Sequence, residues 1–90
     1  MKFEWNEKKA TRNLAKHGVT VAEAVTAFYD PLYIDFFDPG HSADEHRYIR
    51  VGCSEQRRVL VVSYTERSGV TRLISARPAT KRERQAYEED

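Results

Sequence analysis

Apolar and polar positions change their period along the chain, and each change marks an element. The opening MKFEW alternates, which predicts a short strand with Phe3 and Trp5 on one face. Asn6 is placed to cap a helix reaching about Lys16, with Ala10, Leu14 and His17 near one stripe and Gly18 as the stop. Thr20 and Glu23 form a capping box, T-V-A-E, ahead of Val21, Ala24, Val25 and Phe28, so a second helix follows and ends before Asp30-Pro31. The aromatic, β-branched LYIDFFD predicts a strand, and DPGHSADEH a loop. HRYIRVGC alternates moderately, whereas VLVVSYT is continuously apolar and reads as a central strand. Ser68-Gly69 turns the chain into VTRLISAR, making the last two strands a hairpin. Pro78 ends that strand, and Thr80 with Glu83 caps a helix from Lys81 to about Glu89. The expected fold is α+β in the order β-α-α-β-β-β-β-α, a small, mostly antiparallel sheet with its helices packed on one face.

Ninety residues, 40% of them hydrophobic and including five Tyr, four Phe and one Trp, suffice for one folded domain spanning 1–90. No repeat, low-complexity segment or linker divides it. MKFEWNEKKATRN lacks the apolar stretch of a signal peptide, and no run reaches membrane-spanning length. The single Cys53 fits a reducing compartment, so a cytoplasmic protein without membrane contact is expected. A net charge of +1 conceals an uneven layout. Residues 17–46 hold six acids and no Lys or Arg, while the fifteen basic residues share the rest of the chain with eight acids. Gathered on one face, those cations would attract a polyanion such as RNA or DNA. Dispersed, they would only keep the surface solvated.

Arg77 stands at the end of an interior-type strand, just before the chain breaks into a helix, where a side chain is held by the sheet yet reaches solvent. Glu66 and Arg67 sit at the far end of the neighbouring strand. A two-residue turn at Ser68-Gly69 pairs Tyr64 with Leu73 and puts Glu66 and Arg77 on one face, whereas a three-residue turn separates them.

WNEKKATRNLAKHGV, FYDPL and YTERSGVTRLISARPATKRERQAYE together resemble the BrnT family of bacterial type II toxins, along essentially the whole chain. The resemblance implies a RelE-like ribonuclease fold, RNA cleavage without a metal ion or other cofactor, and a BrnA-type antitoxin that neutralises the toxin. Contact with operator DNA would then run only through that antitoxin, in a homodimer or a heterotetramer with it. Metal-free cleavage needs a base for the ribose 2′-OH, cations for the charge gathering on phosphorus, and an acid for the leaving 5′ oxygen. Arg77 is the first candidate for the phosphate, since a guanidinium grips two oxygens at once, and Arg67 the second, against the alternative of a solvated residue beside a turn. His17, Lys16, Glu66 and Tyr87 are the titratable candidates. His17 ends a helix whose dipole favours a cation and suits an acid, or it only caps carbonyl groups there. Glu66 is a candidate base or merely the ion-pair partner of Arg67. Tyr87 would stack on a base, bond a phosphate or pack in the core. Lys81, Arg82 and Arg84 would track the RNA backbone or form an exposed helical face.

The loop residues His41, Asp44, Glu45 and His46 are of zinc-binding type, but their spacing fits no common ligand pair, and no metal is expected. Cys53 reads as a packing residue. Tyr33, Phe36 and Phe37 exceed what one buried strand face needs, and predict a surface for self-association or antitoxin docking, or else edge-strand pairing. The competing function is a basic module that binds nucleic acid or protein without catalysis.

Overall fold

The structure, a computed structural model, describes residues 1–41 and 45–89. Its elements are β1 (Lys2–Glu4), α1 (Glu7–His17), α2 (Val21–Ala27), β2 (Ile34–Asp38), a 3₁₀ turn (Pro39–His41), β3 (Arg47–Cys53), β4 (Val59–Arg67), β5 (Val70–Pro78) and α3 (Lys81–Glu89). The α+β order matches the expected one. Local chemistry sets the ends. Asn6 Oδ1 accepts the Lys9 N–H at 3.1 Å, and Gly18 closes α1 in the left-handed region at φ 70°, where a side chain would be strained. At α3 the capping box is reciprocal: Thr80 Oγ1 accepts the Glu83 N–H at 3.2 Å and Glu83 Oε1 accepts the Thr80 N–H at 2.8 Å. At α2 the carboxylate takes another route. Thr20 Oγ1 accepts the Glu23 N–H at 3.1 Å, but the buried Glu23 carboxylate turns to Arg58, which donates to both its oxygens, and to the Ser54 hydroxyl at 2.8 Å.

The sheet runs β1-β5-β4-β3-β2, with β1 parallel to β5 and the other pairs antiparallel. One face presents Leu60, Val62, Tyr64, Leu73 and Ala76 to Val19, Ala24, Ala27 and Phe28. Phe28 stacks edge-on against Phe3 and Tyr64, with ring centroids 5.1 Å apart in each pair. Helix α2 lies so close that a Cβ on Gly52 would sit 2.7 Å from the Ala27 carbonyl oxygen.

The helices do not share one face. Helices α1 and α2 cover the face just described, and α3 lies across the other, where Ala86 and Tyr87 meet Ile34, Ile49, Val51 and Val61. The reason is legible in β4, whose consecutive apolar residues Val59–Val62 send side chains to both faces and demand cover on each. The stripe on α1 is also rotated. Leu14 is 47% exposed, and Ala10, Asn13 and His17 face inward instead. Trp5 lies outside β1 and half-exposed, its indole N–H donating to Glu7 at 3.0 Å.

Ser68 and Gly69, at φ 49° and 80°, form the two-residue turn, and Tyr64 pairs with Leu73. Glu66 and Arg77 nevertheless face opposite ways. A bulge leaves Ile74 unpaired between Leu73 and Ser75, so Arg77 pairs with Val61 and turns to the α3 face, while Glu66 pairs with Thr71.

Candidate active site

Strand β1 pairs with β5 only through Val70–Arg72, which leaves the rest of β5 without a strand neighbour on that side. Helix α1 takes its place there, through one residue. Asn13 Nδ2 donates to the Ala76 carbonyl at 2.8 Å, and its Oδ1 accepts the Ala76 N–H at 3.0 Å, as a neighbouring strand would. The same amide donates to the Val19 carbonyl at 3.1 Å, tying the turn after α1 into the joint.

Beside that joint Lys9, Arg12, Asn13, Lys16 and His17 of α1 meet Ile74 and Ser75 of β5 around an open cleft of about 300 Å³. The spacing 9, 12, 16 sets three cations on one stripe. The β5 lip of the cleft is the bulge itself, the irregularity by which a strand re-aims its side chains. The arrangement offers positive charge for a phosphate and, in His17, a group able to move a proton.

Arg77, one residue from the Asn13 joint, points across the sheet to α3. Its guanidinium donates to Glu83 at 2.7 and 2.9 Å. That bond, opposed by burial and helped by the Thr80 N–H, lowers the Glu83 pKa to about 2. On the same face Tyr87 donates its hydroxyl to Asp30, and burial followed by that bond raises the tyrosine's pKa. Burial opposes the Asp30 charge, but bonds from Tyr87 and from the Cys53 and Leu32 N–H groups outweigh it and lower the pKa. Lys81, Arg82 and Arg84 are exposed along α3.

Glu66 and Arg67 stand apart from both groups. Glu66 accepts from the Thr71 hydroxyl at 2.7 Å, and Arg67 donates to Glu45 at 2.7 and 2.9 Å. Arg67 lies six positions from Val61, the partner of Arg77, roughly 20 Å at a rise of about 3.3 Å per residue. The structure therefore brings Lys16 and His17 together, gathers Arg77 with Tyr87 and the α3 cations on the opposite face, and leaves Glu66 and Arg67 by the hairpin turn.

Sequence reasoning missed Lys9, Arg12, Asn13 and Ser75. The basic spacing was available as a signal, and so was an asparagine in mid-helix, where the residue is disfavoured without a bond to make. It also assigned nothing to Arg50, which donates to Asp35 at 2.8 Å twice, under the Tyr33 ring at 3.8 Å and the Phe28 ring at 4.6 Å. Tyr64 donates to the same carboxylate at 2.8 Å, so this cluster ties β2 and β4 together through Asp35. Of the zinc-type loop, Asp44 lies outside the described residues, Glu45 bonds Arg67, and His46 packs edge-on against Phe37. Among the described residues no three metal-ligating side chains cluster.

A family profile described as "Ribonuclease toxin, BrnT, of type II toxin-antitoxin system" matches residues 5–83. Among solved structures, the crystal structure of the Brucella abortus ribonuclease toxin BrnT is similar, with a TM-score of 0.66 and 25% sequence identity over 90% of this chain and 99% of that one. No curated protein sequence matches.

Proposed function

This chain belongs to the BrnT family of ribonuclease toxins of type II toxin-antitoxin systems, and from that membership we propose that it cuts RNA at the α1–β5 cleft without a metal ion. The observation that carries this reading is the convergence of Lys9, Arg12, Lys16 and His17 on the bulged edge of β5. In the proposed reaction the ribose 2′-OH gives up its proton to solvent water and O2′ bonds phosphorus. The P–O5′ bond then breaks, and His17 supplies the proton that O5′ takes. Lys9, Arg12 and Lys16 hold the charge that collects on the phosphoryl oxygens. Arg77 joins from the other side of the strand if RNA crosses the β5 edge and a phosphate displaces Glu83, with Lys81, Arg82 and Arg84 tracking the backbone beyond it. Tyr87, bonded to Asp30, serves in this reading to seat α3, and Glu66 and Arg67 serve the hairpin. The antitoxin partner is of BrnA type and carries any contact with operator DNA.

The test is incubation with a short synthetic RNA in EDTA. Wild-type protein is expected to leave 2′,3′-cyclic phosphate ends, and His17→Ala to slow cleavage by about 100-fold with an unchanged circular dichroism spectrum. Full activity in His17→Ala, or cleavage only when a divalent ion is supplied, would overturn the reading. Arg77→Ala, compared alongside, separates a phosphate contact from a purely structural pair: retained cleavage by a folded variant removes Arg77 from the site.

A further inference from the structure

The groove beside α1 does not end at the cationic cleft. Toward the start of the helix it continues into a crevice between α1, α2 and β5, which shares Lys9, Asn13, Ile74 and Ser75 with the cleft and is lined by Trp5 as well. The crevice holds only about 20 Å³, room for one water and not for a nucleobase. Trp5 itself stays open. Its ring is 40% exposed, and the indole N–H, bonded to Glu7 at 3.0 Å, anchors one edge of it. The exposed aromatic residues Tyr29, Tyr33, Phe36 and Phe37 belong to the segment from the end of α2 through β2 and line neither space.

We propose that Trp5 is the platform on which a base of the RNA stacks while the backbone lies against Lys9, Arg12 and Lys16. The inference rests on the reading of the α1–β5 cleft as the RNA site and deepens it. Single strands are held by two kinds of contact, positive charge along the backbone and aromatic rings beneath the bases, and an open indole bordering a line of cations supplies both. Trp5 and Lys9 share the crevice wall, so the platform heads the line of side chains that ends at His17. The eleven residues of α1 extend about 16 Å at about 1.5 Å per residue, which sets the stacked base a few nucleotides from the phosphate beside His17. Stacking accepts any base, provided that the base is free of its own helix. The site therefore selects unpaired RNA rather than one sequence, and Trp5 acts on binding rather than on the bond that is cut.

Trp5 is the only tryptophan of the chain, so its fluorescence reports the contact directly. The probe is a short RNA, 2′-O-methylated throughout so that it binds without being cut, in EDTA. Binding is expected to quench Trp5. An abasic nucleotide placed at one position of the strand is expected to remove the quench and weaken binding about tenfold, and elsewhere to do neither. Trp5→Ala is expected to bind about tenfold more weakly, to ignore the abasic replacement, and to cut unmodified RNA with a raised KM at unchanged kcat. Trp5→Phe, which keeps a ring, is expected to recover most of the affinity. An abasic penalty that persists in Trp5→Ala would overturn the proposal, since the weaker binding would then come from the fold around α1. Where Trp5→Ala does not fold, the wild-type quench and its loss at one abasic position decide. Cleavage of unmodified RNA by a protein whose Trp5 is never quenched would sink the platform and leave the catalytic reading standing. A quenched Trp5 in a protein that cuts no RNA would uphold the platform and sink only the assigned catalysis.

Discussion

Asn13 does at one residue what a sixth strand would do along a whole edge. Its side-chain amide meets both backbone groups of Ala76 and the Val19 carbonyl, so Asn13→Ala strands three polar groups that are partly shielded from water. The expected loss is about 1–3 kcal/mol of stability, read by denaturant unfolding. RNA cleavage should fall further than the unfolded fraction explains, because α1 loses its seat on β5. Glu83 carries a pH-dependent contribution whose sign follows from its lowered pKa. A carboxylate depressed in the fold to about 2 stabilises fully above its ordinary value of 4.5, and that stability drains away as pH falls through that interval. The pair is partly exposed, at 40% for Arg77 and 31% for Glu83, so screening reduces the effect to the order of 1 kcal/mol. Melts of wild type and Glu83→Gln should differ at pH 7 and converge near pH 2. The buried Glu23 behaves with the same sign, held charged chiefly by Arg58, and Glu23→Ala should cost roughly 3 kcal/mol by leaving a guanidinium and the Ser54 hydroxyl without their acceptor.

Among the elements, β5 decides the most. Its alternation, read forward from the turn, sends Arg77 to the face of Glu66, and the unpaired Ile74 reverses that. Nothing in VTRLISAR announces a bulge, since no glycine marks it. Helix α3 has no fully buried residue and is held by a pair at each end, Arg77 with Glu83 and Tyr87 with Asp30, over the apolar second face. Helix α2 is held by the Glu23 bonds to Arg58 and Ser54 and by close contact with β3. Gly52→Ala would drive a methyl group into the Ala27 carbonyl, and an unfolding titration should show a loss of about 1–3 kcal/mol. No such loss would mean that α2 can slide away from β3, which the dense packing of Ala24, Ala27 and Phe28 opposes.

Across the whole molecule, charge is laid out by strand order. The cleft cations lie at the β5 end of the sheet, whereas at the β2 end Asp35 and Asp38 each lie opposite an arginine of β3, Arg50 and Arg47. RNA affinity should therefore weaken with salt, and Lys9→Ala, Arg12→Ala and Lys16→Ala should each reduce the slope of log affinity against log salt by about 0.7, the value for one phosphate contact on a single strand. Arg67→Ala, at the hairpin end and paired with Glu45, should leave that slope unchanged. The order of elements, the caps at Asn6, Thr20 and Thr80, and the turn at Ser68-Gly69 were determined by the sequence alone, because each depends on residues within a few positions of one another. The match of WNEKKATRNLAKHGV and ISARPATKRER to one toxin family was legible in the same way. The division of the helices between two faces, the bulge at Ile74, and the meeting of His17 with Ser75 were decided only by tertiary structure. Each of these balances contacts between segments far apart in the chain, as when Asn13 bonds Ala76 across 63 positions, and local propensity carries no information about such a balance.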